Sequence, residues 1–388
     1  MYETAAACPE RKDIMSVDTS KMSKLGFGLM RLPEKDGNID LDTVCRMVDS
    51  YIAAGFNYFD TAYVYHGGKS EVAARECIVK RYPRESFCLA TKLPAWCIKS
   101  VDDRDRIFNE QLERAGVDYF DFYLLHSIEE GNNLDTYEKF DCFGWGLKKK
   151  AEGKIRHLGF SFHGTPSTLS KVLDEHPETE FVQIQLNYLD LDNPVVESGK
   201  LYDILTKRNI PIIVMEPVKG GSLASPPPEI LDSFRAARPD SSAASWAMRF
   251  VGSLPGVMTI LSGMSNLEQM NDNIGTFSRF EPLSDSEKSL VQRAADILRG
   301  TPTIGCTACR YCCDGCPRGI KIPDIFRLSN TVTMYMESWR AENYYNVHIA
   351  PVARASDCIA CGQCESVCPQ HLPVIRLLKE AAAQFDKK

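Results

Sequence analysis

Between residues 22 and 276 the chain alternates, eight times over, a short apolar run with a longer amphipathic stretch. The apolar runs are Gly26–Met30, Tyr58–Asp60, Cys88–Thr91, Phe120–Leu125, Ile155–Phe160, Val182–Leu186, Ile212–Met215 and Val257–Leu261. They are short and often bounded by turn residues, as strands buried on both faces are. In Leu41–Ala54, Leu41, Val44, Cys45, Val48 and Ile52 recur at helical spacing, and Gly55 follows the end. Further helices are expected to begin near Ser70, Asp102, Leu134, Thr165, Pro194, Pro228 and Asn266. Eight strands, each followed by a helix, is the count of an α/β chain closing as a (β/α)8 TIM barrel. A doubly wound sheet would carry G-x-G-x-x-G after its first strand. The Gly26-Phe27-Gly28 pair does not continue into that motif, and no helix start follows it.

At 388 residues the chain has room for such a barrel and a second, smaller unit. After Ile274 comes a polar break, then an amphipathic helix over Ser284–Leu298, then Gly300-Thr301-Pro302. The expected domains are therefore 22–300, the barrel, and 301–388, a small cysteine-rich domain. In the latter, Ile322–Ile349 carries two helix-like stretches, and Leu372–Phe385 reads as a helix packing back on the body. A net charge of -7 without a basic stretch argues against nucleic acid as a partner. The first residues, MYETAAACPERKDIMSVDTSK, lack the apolar centre of a signal peptide, and no run is long enough to span a bilayer. The chain reads as cytoplasmic, with no membrane partner.

Active sites of such barrels lie at the carboxyl ends of the strands. Four ionisable residues stand there. Asp60 ends the second strand, Tyr65 lies in the loop after it, Lys92 ends the third strand, and His126 ends the fourth in Leu124-Leu125-His126. Singly, each has a plain structural role to hand: a helix cap, a loop aromatic, a snorkelling lysine, a core histidine. Together, at one end of three adjacent strands, they form a proton-transfer set. A Lys92 cation beside Tyr65 is expected to lower the phenol from about 10 toward the working pH. Asp60 would hold Lys92 charged, His126 would bond a substrate carbonyl oxygen, and Tyr65 would protonate it.

These residues, with the order of elements around them, resemble the aldo-keto reductase family over roughly residues 22–276. The resemblance implies a nicotinamide cofactor, NADP or NAD, across the barrel mouth, and a small-molecule carbonyl or alcohol as substrate. It also implies a catalytic tetrad, carried here by Asp60, Tyr65, Lys92 and His126, with Tyr65 as proton donor. Cofactor contacts would come from Asp60, Ser161, Gln183 and Met215, the last standing where a tyrosine often stacks on the nicotinamide. Glu216, Pro217, Val218 and Gly221 match the loop that covers the pyrophosphate. Ser262, Gly263, Gln269 and Asn273 match the adenosine-phosphate end, where a helix begins. Phe162 stands where the family usually has asparagine. No arginine lies within 262–273 to pair with a 2′-phosphate, so NAD and NADP both stay open. Tyr63, His66, Trp96, Phe162 and His163 are the candidate substrate walls. The family's third substrate loop is replaced by the cysteine-rich segment, so the substrate does not carry over.

Nine of the fifteen cysteines fall in two runs, Cys306-Thr-Ala-Cys309-Arg-Tyr-Cys312-Cys313-Asp-Gly-Cys316-Pro317 and Cys358-Ile-Ala-Cys361-Gly-Gln-Cys364-Glu-Ser-Val-Cys368-Pro369. Both read C-x2-C-x2-C-x3-C-P, the spacing of bacterial ferredoxins, and residues 301–375 resemble a two-cluster ferredoxin-type module. By that resemblance one [4Fe–4S] cluster takes Cys306, Cys309, Cys312 and Cys368. The other takes Cys358, Cys361, Cys364 and Cys316. Cys312 is preferred to its neighbour Cys313 because it keeps the two spacings identical. The rival is zinc in an S4 site, weakened by two equal, proline-closed quartets. The clusters are either structural or electron carriers, in the latter case with an external ferredoxin or flavoprotein as partner. A different function class also stays open: an electron-transfer or redox-sensing subunit whose barrel binds nucleotide without carbonyl turnover. The remaining cysteines, Cys8, Cys45, Cys77, Cys88, Cys97 and Cys142, read as small core hydrophobes.

Overall fold

The computed structural model describes residues 22–386 apart from 131–132, 301–302, 307 and 337, so Cys8 lies outside it. Eight strands form the barrel: β1 (Leu25–Gly28), β2 (Tyr58–Asp60), β3 (Cys88–Pro94), β4 (Phe120–Ile128), β5 (Ile155–Phe162), β6 (Phe181–Gln185), β7 (Ile212–Met215) and β8 (Val257–Ser262). Each pairs parallel with the next, and β8 closes onto β1. The register places the site. Asp60 lies opposite Ala90, and Lys92 is two residues further along the same face of β3. Lys92 lies opposite Leu124, and His126 is again two residues on. Because side chains alternate along a strand, these steps of two keep Asp60, Lys92 and His126 on one face while they climb with the shear of the barrel.

The strands match the expected runs closely, with informative exceptions. β1 stops at Gly28 because Leu29–Arg31 turn into a single 3-10 turn. A two-stranded hairpin, Glu34–Lys35 with Asn38–Ile39, follows it and was not expected. Its turn is Asp36-Gly37, both at positive φ, the geometry that a tight hairpin needs. Helix α1 (Leu41–Ala53) starts at Asp40, whose carboxylate accepts from the Thr43 N–H. α2 (Lys69–Ala74) runs into a single π turn, Arg75–Val79. α3 (Asp102–Ala115) and α4 (Leu134–Lys139) follow β3 and β4. The helix expected near Pro194 begins at Ser198. The preceding residues are held as turns, with Asn187 accepting from the Leu189 and Asp190 N–H groups and Asn193 from Val195.

The chain packs as two compact units. The first runs to Gln185 and adds Leu201–Pro217 and Val251–Glu281; it holds the whole barrel sheet. The second gathers Leu186–Lys200, Val218–Phe250 and everything from Pro282 on. In it the helix Asp285–Arg299 shares a core with Ile230, Phe234, Trp246 and Tyr335. The composition changes near 300, whereas packing groups these earlier segments with the cysteine-rich one. The last helix is Val374–Phe385, close to the expected Leu372–Phe385. Val374, Leu377, Leu378 and Phe385 join Ile322, Ile325, Phe326 and Tyr345 in a core of the cysteine-rich segment's own. Among the described residues, no helix is long and apolar enough to cross a membrane.

Candidate functional site

Lys92 is fully buried, and its Nζ donates to Asp60 Oδ1 at 2.5 Å, to the Thr61 carbonyl at 2.8 Å and to Tyr65 Oη at 3.3 Å. Burial would discharge it, but Asp60 and Tyr65 outweigh that and raise its pKa. Burial likewise raises Asp60, against the pull of Lys92. Tyr65 departs from expectation. Burial raises the phenol above its ordinary value, and the nearby Lys92 offsets this only in part. The dry setting wins over the single cation. The His126 ring stands 6.0 Å from that of Tyr65. Burial first, then Lys92 and His163, push His126 well below its usual pKa, so the ring is neutral.

Residues with no signature in the sequence hold this set in place. Gln111 on α3 reaches the Lys92 carbonyl and Thr91 Oγ1, both at 3.0 Å, and accepts from Tyr123 Oη at 2.6 Å. Thr91 Oγ1 donates to the buried carboxyl of Glu71 on α2 at 2.7 Å. Burial lifts Glu71 to about 7 in spite of its hydrogen bonds from Thr91 and Gln111. Tyr137 on α4 is buried with its hydroxyl 2.7 Å from the Leu93 carbonyl and 2.8 Å from that of His126, which ties the ends of β3 and β4. Ser127, next to His126, takes a positive φ of 60°. Its N–H donates to Ser161 Oγ at 2.7 Å, and its carbonyl accepts from Asn133 Nδ2 at 2.8 Å. Those bonds hold a backbone conformation that a serine rarely adopts.

Of the expected substrate walls, Trp96 comes to 5.1 Å from the His126 ring and is half exposed, and His163 is close enough to act on His126's charge. Tyr63 instead donates to Glu110 at 2.7 Å under the Arg114 guanidinium. His66 pairs with Glu34 of the hairpin at 3.0 Å. Phe162 is buried against Phe160.

Among the expected cofactor residues, Gln183 Nε2 lies 3.4 Å from the Met215 sulfur. Asp60 Oδ2, His126 Nδ1 and Gln183 Oε1 are buried, each without a protein hydrogen-bond partner. Asn273 donates to Ser262 at 2.9 Å, and Gln269 accepts from the Ser265 N–H at 2.7 Å. Arg31, from the turn after β1, packs its stem on Gly263 and pairs with Glu216 at 3.5 Å. It is a cation that segment 262–273 itself lacks. Pro217 is buried beyond Glu216. Val218 and Gly221 fall in the second unit, where the Gly221 N–H closes a turn onto the Val218 carbonyl.

The cysteine runs are two copies of one structure at an offset of 52 (358 − 306). Ala308 and Arg310 take positive φ, as do Ala360 and Gly362; Gly319 does so, as does His371. A short helical turn follows each third cysteine's approach, Tyr311–Asp314 and Gln363–Ser366, and a long helix starts at Ile322 and at Val374. In this register Cys312 matches Cys364, and Cys313 matches Glu365. Cys306, Cys309, Cys312 and Cys368 line one cavity with Phe326 and Leu372. Cys316, Cys358, Cys361 and Cys364 line another with Ile320 and Leu378. Cys313 lines neither. Among the described residues no three possible ligands converge on a single ion.

The profile of the Aldo/keto reductase family matches residues 24–296. The chain belongs to the aldo/keto reductase family. The 4Fe-4S dicluster domain follows, matching residues 305–373. Among curated relatives of the barrel is an L-galactose dehydrogenase of Arabidopsis thaliana, 26% identical over 291 residues, covering 70% of this chain and 89% of that protein. Another is the uncharacterized oxidoreductase YqkF of Bacillus subtilis, 25% identical over 297 residues, covering 68% and 90%. Among solved structures, the holo form of aldo-keto reductase AKR11C1 from Bacillus halodurans is similar with a TM-score of 0.56 and 25% identity, covering 70% of this chain and 92% of that one. In this aldo/keto reductase, then, the family barrel and a dicluster domain share one chain.

Proposed function

We propose that the barrel is the catalytic part of an NAD(P)-dependent oxidoreductase that interconverts a small carbonyl compound and its alcohol. The observation that carries this reading is the buried Lys92 ammonium held between Asp60 and Tyr65, with the neutral His126 ring beside the phenol. When bound, the nicotinamide supplies or accepts the hydride. The chain handles the oxygen and the proton. A His126 N–H donates to the carbonyl oxygen and orients it. Tyr65 Oη delivers its proton to that oxygen, and Lys92 stabilises the phenolate that results. Asp60 keeps Lys92 charged. In the direction of alcohol oxidation the phenolate takes the proton back.

The residues present fit a nicotinamide. Gln183 Oε1 is buried without a protein partner, and Ser161 Oγ, which accepts from Ser127, keeps its own proton to donate. An acceptor beside a donor suits a primary carboxamide. Arg31 offers a cation to a phosphate of the nucleotide. The relative named as an L-galactose dehydrogenase supports alcohol and carbonyl chemistry for this barrel.

In the dicluster domain the two cysteine quartets are read as holding one [4Fe–4S] cluster each. Cys309 and Cys361 are exposed, which brings an edge of each quartet to the surface. The domain also has an apolar core of its own. Both observations favour electron exchange with an outside ferredoxin or flavoprotein over a purely structural role. The many free thiols suit a reducing compartment such as the cytoplasm.

The test is nucleotide binding followed by turnover. NADPH or NADH should quench the protein's fluorescence. Tyr65→Phe should leave that affinity nearly unchanged while lowering carbonyl reduction by about 10²–10⁴-fold. Failure of both nucleotides to bind would reject the reading.

A further inference from the structure

Cys45 on α1 and Cys77 in the π turn after α2 are 32 residues apart in sequence, yet their sulfurs stand 2.6 Å apart. Two sulfurs held by one tetrahedral zinc would lie roughly 3.8 Å apart, from metal–sulfur bonds near 2.3 Å. A disulfide needs about 2.05 Å. The separation is too small to hold a metal between the sulfurs and is close to bonding. Neither thiol belongs to the cysteine runs or to the Tyr65 site.

We propose that Cys45 and Cys77 are an oxidant-reactive dithiol that closes to a disulfide, stapling α1 to the segment that continues α2. The environment gives the two sulfurs different parts. Cys77 is fully buried, and its thiol pKa is raised by that burial and then by Cys45. Its proton is directed at the Leu41 carbonyl, 3.5 Å away. Cys45 is only partly buried. The Arg81 guanidinium spans the pair, 3.3 Å from the Cys45 carbonyl and 3.4 Å from that of Cys77.

With hydrogen peroxide as oxidant, the Cys45 thiolate attacks one oxygen; the S–O bond forms, the O–O bond breaks, and hydroxide leaves. Cys77 then attacks the Cys45 sulfur, displacing that oxygen, which leaves as water carrying the Cys77 proton. In sum two thiols lose two electrons and two protons, and one peroxide becomes two waters. The staple fixes the run that carries Ser70 and Glu71 behind Asp60 and Lys92.

The test uses whole, cluster-loaded protein purified without air. It is treated with hydrogen peroxide, denatured, alkylated and digested with trypsin without reduction. Cys45 then lies in peptide 36–46 and Cys77 in peptide 76–80. The expected product is these two peptides joined, two hydrogens lighter than their sum, as the major form of both. Dithiothreitol before alkylation should remove it, and Cys45→Ser should return peptide 76–80 in alkylated form. Recovery of both peptides from treated wild type as separate alkylated or sulfinic species would overturn the proposal, whatever the variant does. Because the readout is a linked peptide, damage to the iron–sulfur clusters neither mimics nor hides it.

Discussion

Replacing Lys92 by methionine removes the ammonium and keeps most of the packing volume. At 2.5 Å from Asp60, the charge pair has a gross attraction of about 7 kcal/mol at an effective dielectric near 20. Burying both ions offsets most of it, so the pair as a whole contributes little net stability. Breaking it is another matter. Asp60 keeps its burial and loses its cation, a cost of roughly 3–5 kcal/mol. Uptake of a proton limits the cost, since burial already raises Asp60's pKa. Lys92→Met should therefore lower barrel stability by about 3 kcal/mol, and Asp60→Asn with Lys92→Met should recover roughly 2 kcal/mol of it. Carbonyl turnover should fall about 10²–10⁴-fold in both variants, because each lacks the cation beside Tyr65. Urea unfolding followed by circular dichroism gives the stability terms, and NADPH oxidation the turnover. A Lys92→Met protein within about 0.5 kcal/mol of wild type, or a double variant no more stable than the single one, would refute this account of the pair.

Burial raises Tyr65 above its ordinary pKa, so its acid form persists and carbonyl reduction should not fall as pH rises from 7 to 9; a decline centred near pH 8 would contradict it. Glu71 is raised to about 7 from 4.5, so the folded state holds its proton more tightly than the unfolded one. Stability should then be lost as pH rises through that window, by roughly 2–3 kcal/mol between pH 5 and 8, and Glu71→Gln should flatten the slope measured by urea unfolding. Iron and acid-labile sulfide should each approach eight per chain, as two [4Fe–4S] clusters require. Cys361→Ser should lose about half of both, and Cys313→Ser none; two zinc ions without sulfide would overturn the assignment.

The barrel was legible because a parallel strand buried on both faces leaves a short apolar run that little else imitates. The polar residues near the carboxyl ends were legible for the same reason, since Asp60, Lys92 and His126 interrupt such runs, although Lys92 and His126 lie two residues inside β3 and β4 rather than ending them. The dicluster domain was legible from the cysteine spacing, and in the 52-residue repeat Cys312 is the counterpart of Cys364. What holds the site was not legible. Gln111, Tyr137 and Glu71 sit on helices, where a polar residue reads as an outer face until the partner strand is known. The raised pKa of Tyr65 also escaped, because the sequence names the neighbouring cation but not the depth of burial that outweighs it. Cys45 and Cys77 come together only through packing between α1 and the turn after α2.

The central claim is that hydride and proton meet a carbonyl group at Tyr65. Its most direct test is reduction of a simple aldehyde by NADPH or NADH carrying deuterium at the transferring carbon, with the product alcohol weighed by mass spectrometry. The account predicts one deuterium on the carbinol carbon with wild type and almost none with Tyr65→Phe in the same time. Consumption of the nucleotide with no deuterium in the alcohol, or equal labelling by Tyr65→Phe, would contradict it.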